Sequence, residues 1–286
     1  MAEYKKNHSV PRFMLEYWVD PSTPHRGIHV HEIATRRTYV STGQSKKPFS
    51  FAITTDLYIH TTNGSRAVGL ERWFSGLESS LAVFVRQAHM RESVSYTSVQ
   101  ECTKVLMAIL GLECRSRYNI GLMQATLESD STLRFLMSGD LRRKPQQVVL
   151  ENIVNQIHEH VTSFTPTEMT FFIAPVGQSW LVSDRPYVND KRLSVRLVVL
   201  TNQILLAYRH SNFPRYQYRE ANASFLTEVN KQITLQARDW LAADSAATLQ
   251  AYVSLINSPE WHKSVAADKS YIQPMRNLRR GWAINS

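Results

Sequence analysis

The chain has 286 residues, 43% of them hydrophobic and 20% charged, with a formal net charge of +9 and a pI near 9.6. That composition excludes a disordered chain, two cysteines exclude a disulfide framework, and no apolar run approaches the ~20 residues of a membrane span. The basic balance favours an anionic partner such as nucleic acid, a nucleotide, an acidic protein or a membrane surface.

A chain of this length buries roughly three quarters of the surface its unfolded form exposes, enough for one large domain. Its start, Met1 to His8, holds no apolar stretch that would serve as a signal peptide, so the expected compartment is a reducing cytoplasm. The basic residues are spread out, with short clusters at Arg36-Arg37, Lys46-Lys47, Arg142-Arg143-Lys144 and Arg279-Arg280.

The first block with chemical content is Asn7-His8-Ser9-Val10-Pro11-Arg12-Phe13-Met14-Leu15. Pro11 suits a helix start, because its missing N–H has no helical partner there. Phe13, Met14, Tyr17 and Trp18 then line one helix face, ended by Pro21 and Pro24. Gly27 precedes Ile28-His29-Val30-His31-Glu32-Ile33, whose alternation predicts a strand. Thr38 to Pro48 is expected to be a loop. These pieces form the opening region, residues 1–60.

A helical region follows over 70–165. Leu70, Trp73, Phe74, Leu77, Leu81, Phe84, Val85 and Ala88 recur at three- and four-residue spacing, which predicts a helix over Leu70 to Met90. Ser98 to Glu113, Ile120 to Met137 and Pro145 to Phe164 predict three more. The pattern then changes to strands over 168–210. Met169 to Ala174 is one, Val176-Gly177-Gln178 is a turn, and Ser179 to Val182 is its returning strand. Leu193 to Leu200 and Gln203 to Tyr208 form a second hairpin around Thr201-Asn202. Helices return in 221–257, at Ser224 to Ala242 and Ser245 to Ile256, before a polar, basic tail over 258–286. The fold expected is a single α+β domain. Its antiparallel sheet, the strand cluster at about 169–209, is packed with N-terminal, middle and C-terminal helices.

The familiar fingerprints are missing: there is no glycine-rich phosphate loop, no GxSxG elbow, no HExxH helix and no CxxC pair. His29 and His31 share a face of their strand and could hold a metal, or simply be a polar strand face; no third ligand stands nearby, and no metal or other cofactor is expected. Cys102 and Cys114 sit on an apolar helix and read as core. Glu78 borders the apolar stripe and needs a cationic partner, either as an acid/base or as a solvated carboxylate. Asp184 follows an apolar strand just before Pro186. It is placed either for chemistry or for an Asx-turn in which Ser183 caps the bend. His8 and Arg12 can together contact an anion, and His8 can move a proton near neutral pH; each also has a plain structural reading, as a helix cap and a surface pair.

Taken in order, these blocks resemble the bacterial domain of unknown function 4238 family. Residues 7–15 resemble its opening H-x-V-P-[RQ]-[FY]-x-L, and Ile28-His29-Val30-His31 its next strand. Phe74-Ser75-Gly76-Leu77-Glu78-Ser79 resembles its glutamate-bearing helix. Cys114-Arg115-Ser116-Arg117 is similar to its following arginine, although the proline of that stretch is absent. Trp180 to Tyr187 resembles its [FW]-h-[TV]-S-D-x-P-[VY] element, and Asn230 with Ala237 its final N…A pattern. The resemblance covers about residues 7–255 and implies a fold and a site, not a reaction.

The residues carried over are His8, Arg12, Glu78, Arg115, Ser183, Asp184 and Asn230. This set holds acids, a proton shuttle and phosphate-binding cations. It leads to the expectation of a metal-independent hydrolase or transferase acting on nucleic acid, RNA first, or on a nucleotide. In that reading His8, Glu78 and Asp184 are catalytic, Arg12 and Arg115 bind phosphate, and Ser183 and Asn230 position the substrate. A toxin or antiphage effector role, and a protein that keeps it silent, follow by family-level analogy. The rival expectations are a non-catalytic module that binds nucleic acid or protein, in which the His/Arg/Asp set is a structural network, and a nucleotide sensor that binds without cleaving.

Overall fold

A computed structural model describes residues 6–23, 25–42, 49–55, 57, 60–62, 65–67, 69–92, 99–129, 145–164, 167–190, 195–211 and 215–268. In chain order these are β1 (Lys6–His8), α1 (Arg12–Leu15) with a 3-10 turn (Glu16–Trp18), β2 (Gly27–Glu32), β3 (Arg37–Thr42), β4 (Ile53–Thr55), β5 (His60–Thr62) and β6 (Ser65–Ala67). Then come α2 (Gly69–His89), α3 (Val99–Cys114), α4 (Arg117–Ser129), α5 (Pro145–Phe164), β7 (Thr167–Ile173), β8 (Val182–Ser183), β9 (Tyr187–Asp190), β10 (Val195–Val199), β11 (Ile204–His210) and β12 (Arg215–Glu220). The chain closes with α6 (Ala223–Gln236), β13 (Trp240–Ala243), α7 (Ala246–Val253) and α8 (Pro259–Asp268). The fold is α+β. No helix among the described residues is long and apolar enough to cross a membrane.

The strand cluster builds a five-stranded sheet in the order β12-β7-β11-β10-β9. The hairpin around Thr201-Asn202 is present, with Val199 opposite Leu205. One pairing departs from the all-antiparallel expectation: β12 runs parallel to β7. On β7, Thr167, Met169, Phe171 and Ile173 are buried and alternate with half-buried Glu168, Thr170 and Phe172, the period-two signature of a strand with one core face. Helices cover that core face. Phe84 of α2 meets Phe171 at a ring distance of 5.7 Å, and Glu113 of α3 accepts a hydrogen bond from the Tyr208 hydroxyl at 3.0 Å.

A second sheet, β3-β2-β13-β8, was not visible as such in the sequence pattern. Its strand β13 begins inside Ser224–Ala242, expected to be one helix, and ends one residue beyond it. The helix instead stops at Gln236, and Trp240 to Ala243 are all buried between β2 and β8. Leu241, Ala242 and Ala243 favour a helix locally, but two flanking strands override that preference.

The returning strand expected over Ser179–Val182 is also different. Only Val182 and Ser183 pair, and they pair with β13. Ser179 to Leu181 are buried, and their backbone bonds go to single groups. The Asn230 side chain donates to the Ser179 carbonyl at 3.0 Å and accepts from the Leu181 N–H at 2.9 Å. The Trp180 N–H donates to the Asn202 carbonyl at 2.9 Å, and the Trp18 indole donates to the Trp180 carbonyl at 2.7 Å. A buried asparagine on α6 thus stands where a neighbouring strand would otherwise be.

The remaining helices sit close to their expected bounds. The apolar stripe of α2 buries Phe74, Leu77, Leu81, Phe84, Val85 and Ala88. Gly111 lets α3 approach it, since a Cβ there would lie 2.9 Å from the Phe74 ring. The first helix is shorter than expected, with Met14, Leu15 and Trp18 buried and Phe13 and Tyr17 half-buried. Part of the expected Thr38–Pro48 loop is β3, and part of the tail is α8. Expectations for 130–137, Lys46-Lys47, Arg142-Arg143-Lys144, Arg279-Arg280 and Trp282 lie outside the described residues.

Candidate functional site

The seven singled-out residues separate into two groups and one outlier. The first group joins the N-terminal segment to α2. Arg115, buried just past the end of α3, donates from Nε to the Ser9 carbonyl at 2.8 Å and from Nη1 to Glu78 Oε1 at 2.7 Å. Its guanidinium also lies 5.5 Å from the centre of the Phe74 ring. Beside it, the buried Asn7 amide donates to Glu71. Burial raises the Glu71 pKa and the neighbouring Glu78 raises it further, against the opposing charge of Arg115. His8 ends β1, half-buried and opposite Ile53. The cationic partner that Glu78 required is therefore Arg115.

The second group surrounds the Ser183-Asp184-Arg185 loop. Ser183 Oγ accepts from the Arg185 N–H at 3.1 Å and donates to the Arg185 carbonyl at 3.0 Å, which fixes the bend. Asp184 is fully buried. Its Oδ1 accepts the backbone N–H groups of Arg238 at 2.9 Å and Asp239 at 3.2 Å, with Trp240 at 3.5 Å. These N–H groups belong to the turn between α6 and the start of β13, so Asp184 ties that turn down.

Arg185 is the buried charged residue of this loop that the sequence reading did not single out. Its Nη1 donates to both oxygens of Asp268 at 3.0 and 2.9 Å, while Arg238 Nε donates to Asp268 Oδ2 at 2.7 Å. Both guanidiniums face the Tyr118 ring, at 5.8 and 5.6 Å, and Arg238 also faces Trp261 at 5.4 Å. Two buried cations sharing one buried carboxylate leave a surplus positive charge, which the adjacent Asp184 is placed to balance. The signal in the sequence was slight: an arginine directly after a buried aspartate, and a second, Arg238, beside Asp239.

The two groups meet the same short stretch of chain. Arg115 reaches the N-terminal segment, whereas Tyr118 packs on Arg185 and Asn119 donates to the Tyr187 hydroxyl at 3.2 Å. The α3–α4 turn is the bridge between them. Arg12 belongs to neither. It is exposed and pairs with Glu16 one helical turn on, at 3.2 Å. Glu16 borders a surface groove of ≈ 450 Å³ lined also by Phe13, Tyr17, Ala82, Val83 and Arg86, which contains none of the other candidates. His29 and His31 each have a protein partner: Asp20 at 2.9 Å for the first and the Thr38 hydroxyl at 2.8 Å for the second. Burial pushes the Cys114 thiol up to about 12, an inert state at neutral pH.

Asp184 carries the most telling electrostatics. Burial, then the nearby Asp239, raise its pKa to about 6 against the bonds from Arg238 and the charge of Arg185. Asp239, half-buried, is itself raised by burial, opposed by Arg117. Among the described residues, Asp184 Oδ2 has no hydrogen-bond partner. A folded-state pKa above the unfolded one means that the folded chain holds this proton more tightly. The contribution of Asp184 is therefore most favourable below about pH 4 and declines as pH rises to about 6, by about 3 kcal/mol in total. The difference in unfolding free energy between wild type and Asp184→Asn, followed from pH 4 to 7, should show that decline and flatten above it. A pH-independent difference would show that the carboxylate titrates normally.

No family model, no curated protein and no solved structure matches this chain.

Proposed function

We propose that the chain is a non-catalytic binding module for an anionic macromolecule, nucleic acid in the first instance, and that its His/Arg/Asp set is a structural network. The supporting observation is the use made of the candidate groups. Ser183 and Asn230 bond to backbone, Asp184 ties down the α6–β13 turn, and Arg115 joins Ser9 to Glu78. Each bond replaces one to water, which is what a buried polar network must do. The formal net charge of +9 favours an anionic partner, and counterion release would drive binding to a phosphate backbone.

A second reading has one observation in its favour. Asp184 and Asp239 are neighbouring carboxylates with raised pKa values, and Arg117 stands within electrostatic reach of Asp239. Perturbed carboxylates beside a cation are a signature of acid–base sites. In this reading the protein is a cytoplasmic, metal-independent hydrolase or transferase on RNA, DNA or a nucleotide. Asp239 moves the proton and Arg117 holds the phosphate.

Titration of a labelled single-stranded RNA by anisotropy, with gel analysis of the recovered label, tests both. Binding that weakens steeply with salt and leaves the RNA intact is the expected result. Salt-independent binding or none overturns the module. Cleavage that Asp239→Asn abolishes without unfolding the protein transfers the assignment to the second reading.

A further inference from the structure

Among the described residues, the outer face of the five-stranded sheet is only half covered. Phe225 of α6 packs on Phe172 at a ring distance of 4.9 Å and reaches Trp180 at 6.0 Å. Beyond it, toward the edge strand, this face carries Arg215, Gln217 and Arg219 of β12, Glu168 and Thr170 of β7, and Arg209 of β11. The arginines are exposed and the other three half-buried.

The strand register turns this into a defined array. Arg215 and Arg209 are both opposite Glu168, giving a transverse Arg–Glu–Arg row. Two strand spacings separate its arginines, about 10 Å, and Arg219 stands four residues along β12 from Arg215, about 13 Å. The groups between them are ordered by one another. Gln217 donates to the Thr170 hydroxyl at 2.9 Å and accepts from Arg219 Nη2 at 3.2 Å, while Glu168 accepts from Arg209 Nε at 2.8 Å. The rings of Tyr216 and Tyr218 belong to the opposite face, where Tyr218 stacks on Phe171 at 4.9 Å. The outer face therefore offers cations and amide hydrogen-bonding groups rather than a stacking platform. That is the chemistry of phosphate contact, not of base recognition.

We propose that the open half of this sheet, centred on Arg209, Arg215 and Arg219, is a docking surface for the phosphodiester backbone of a nucleic acid. The inference rests on the binding-module reading and deepens it by giving the surface and the mode. Contact is to the backbone, so the surface takes RNA and DNA of any sequence. Glu168 limits its affinity by neutralising Arg209.

The test compares wild type with three variants by anisotropy, using labelled oligouridylate and oligothymidylate of equal length and a labelled polyglutamate. Arg215→Glu/Arg219→Glu should weaken both nucleic acids by about tenfold or more. It should also reduce the slope of log K against log salt by about 1.4, from two contacts at about 0.7 each. Glu168→Gln should strengthen binding. Arg36→Glu/Arg37→Glu, the same charge change where the β2–β3 turn enters β3, should leave the salt slope near wild type. All the substituted side chains are exposed or partly so, and unchanged melting temperatures will verify folding. If wild type binds nucleic acid but the two arginine pairs behave alike, or Glu168→Gln weakens binding, this surface is wrong while the module stands. If wild type binds neither nucleic acid, both fall. Preference for polyglutamate makes the partner an acidic protein and overturns the assignment.

Discussion

Asp268→Ala should destabilise the protein by about 4 kcal/mol, more than any other single charge removal near the Ser183–Asp184–Arg185 loop. Asp268 is the shared partner of Arg185 and Arg238, and both guanidinium side chains are 2% exposed. Burial opposes the charge on Arg185, but Tyr187 and Asp268 more than offset it and hold its pKa above the ordinary arginine value. Neither arginine can relieve the loss of Asp268 by giving up a proton. Breaking one buried pair by removing a partner costs about 3–5 kcal/mol, because an uncompensated charge stays behind. Here the loss falls on two cations, softened by Asp184, whose proton then leaves more readily.

Asp268 ends α8, which also contributes the Ser264 hydroxyl to Arg238 at 2.8 Å and the Trp261 indole N–H to the Ala237 carbonyl at 3.0 Å. The substitution should therefore release α8 before the rest unfolds. Urea titration will measure the stability loss, and limited proteolysis should show early cleavage near Ser258. Asp268→Asn, which keeps hydrogen bonding but loses the charge, should fall between the two. Wild-type stability in Asp268→Asn would mean that the charge is unimportant and that packing alone holds α8.

Elements with a long repeat were legible in the sequence, and those completed by distant chain were not. Helix α2 announced itself because six buried side chains recur along one face of it. The β10–β11 hairpin did so because its partners are adjacent in sequence. Strand β13 did not, since four residues become a strand only when β2 and β8, both remote in sequence, flank them. The same distinction holds at the candidate site. Chemistry-bearing residues were visible by type, and the need of Glu78 for a cation followed from its place beside the apolar stripe. Which cation, and that Asp184 faces the α6–β13 turn instead of solvent, depended on contacts across 37 and 54 positions. Arg185 and Asp268, 83 positions apart, meet only after α8 folds back. A short polar block read alone cannot tell a group that awaits substrate from one that has a partner elsewhere in the chain.

Arg115→Ala provides the complementary test on the other side of the α3–α4 turn, with an expected loss of about 3 kcal/mol. The guanidinium donates to a carbonyl and a carboxylate in different directions and covers the Phe74 ring. Truncation leaves the Ser9 carbonyl short of a donor, removes the partner of Glu78 and opens a void against α2. Glu78 keeps 34% of its side-chain surface exposed, so water recovers part of its loss and the expected cost stays below that for Asp268. Arg115→Lys should recover little, because one ammonium cannot reproduce the two-directional fork. Glu78→Gln, which retains a hydrogen-bond acceptor for Arg115, should cost about 1 kcal/mol. Hydrogen exchange should place the Arg115→Ala effect first at Ser9, whose N–H bonds to the Ala52 carbonyl at 3.2 Å, and at the start of α1. This pattern separates a staple from a phosphate ligand. A staple variant loses stability and local protection while its nucleic-acid affinity, measured where it is still folded, remains that of wild type. A ligand variant keeps its stability and loses affinity, and that result would return Arg115 to a binding role.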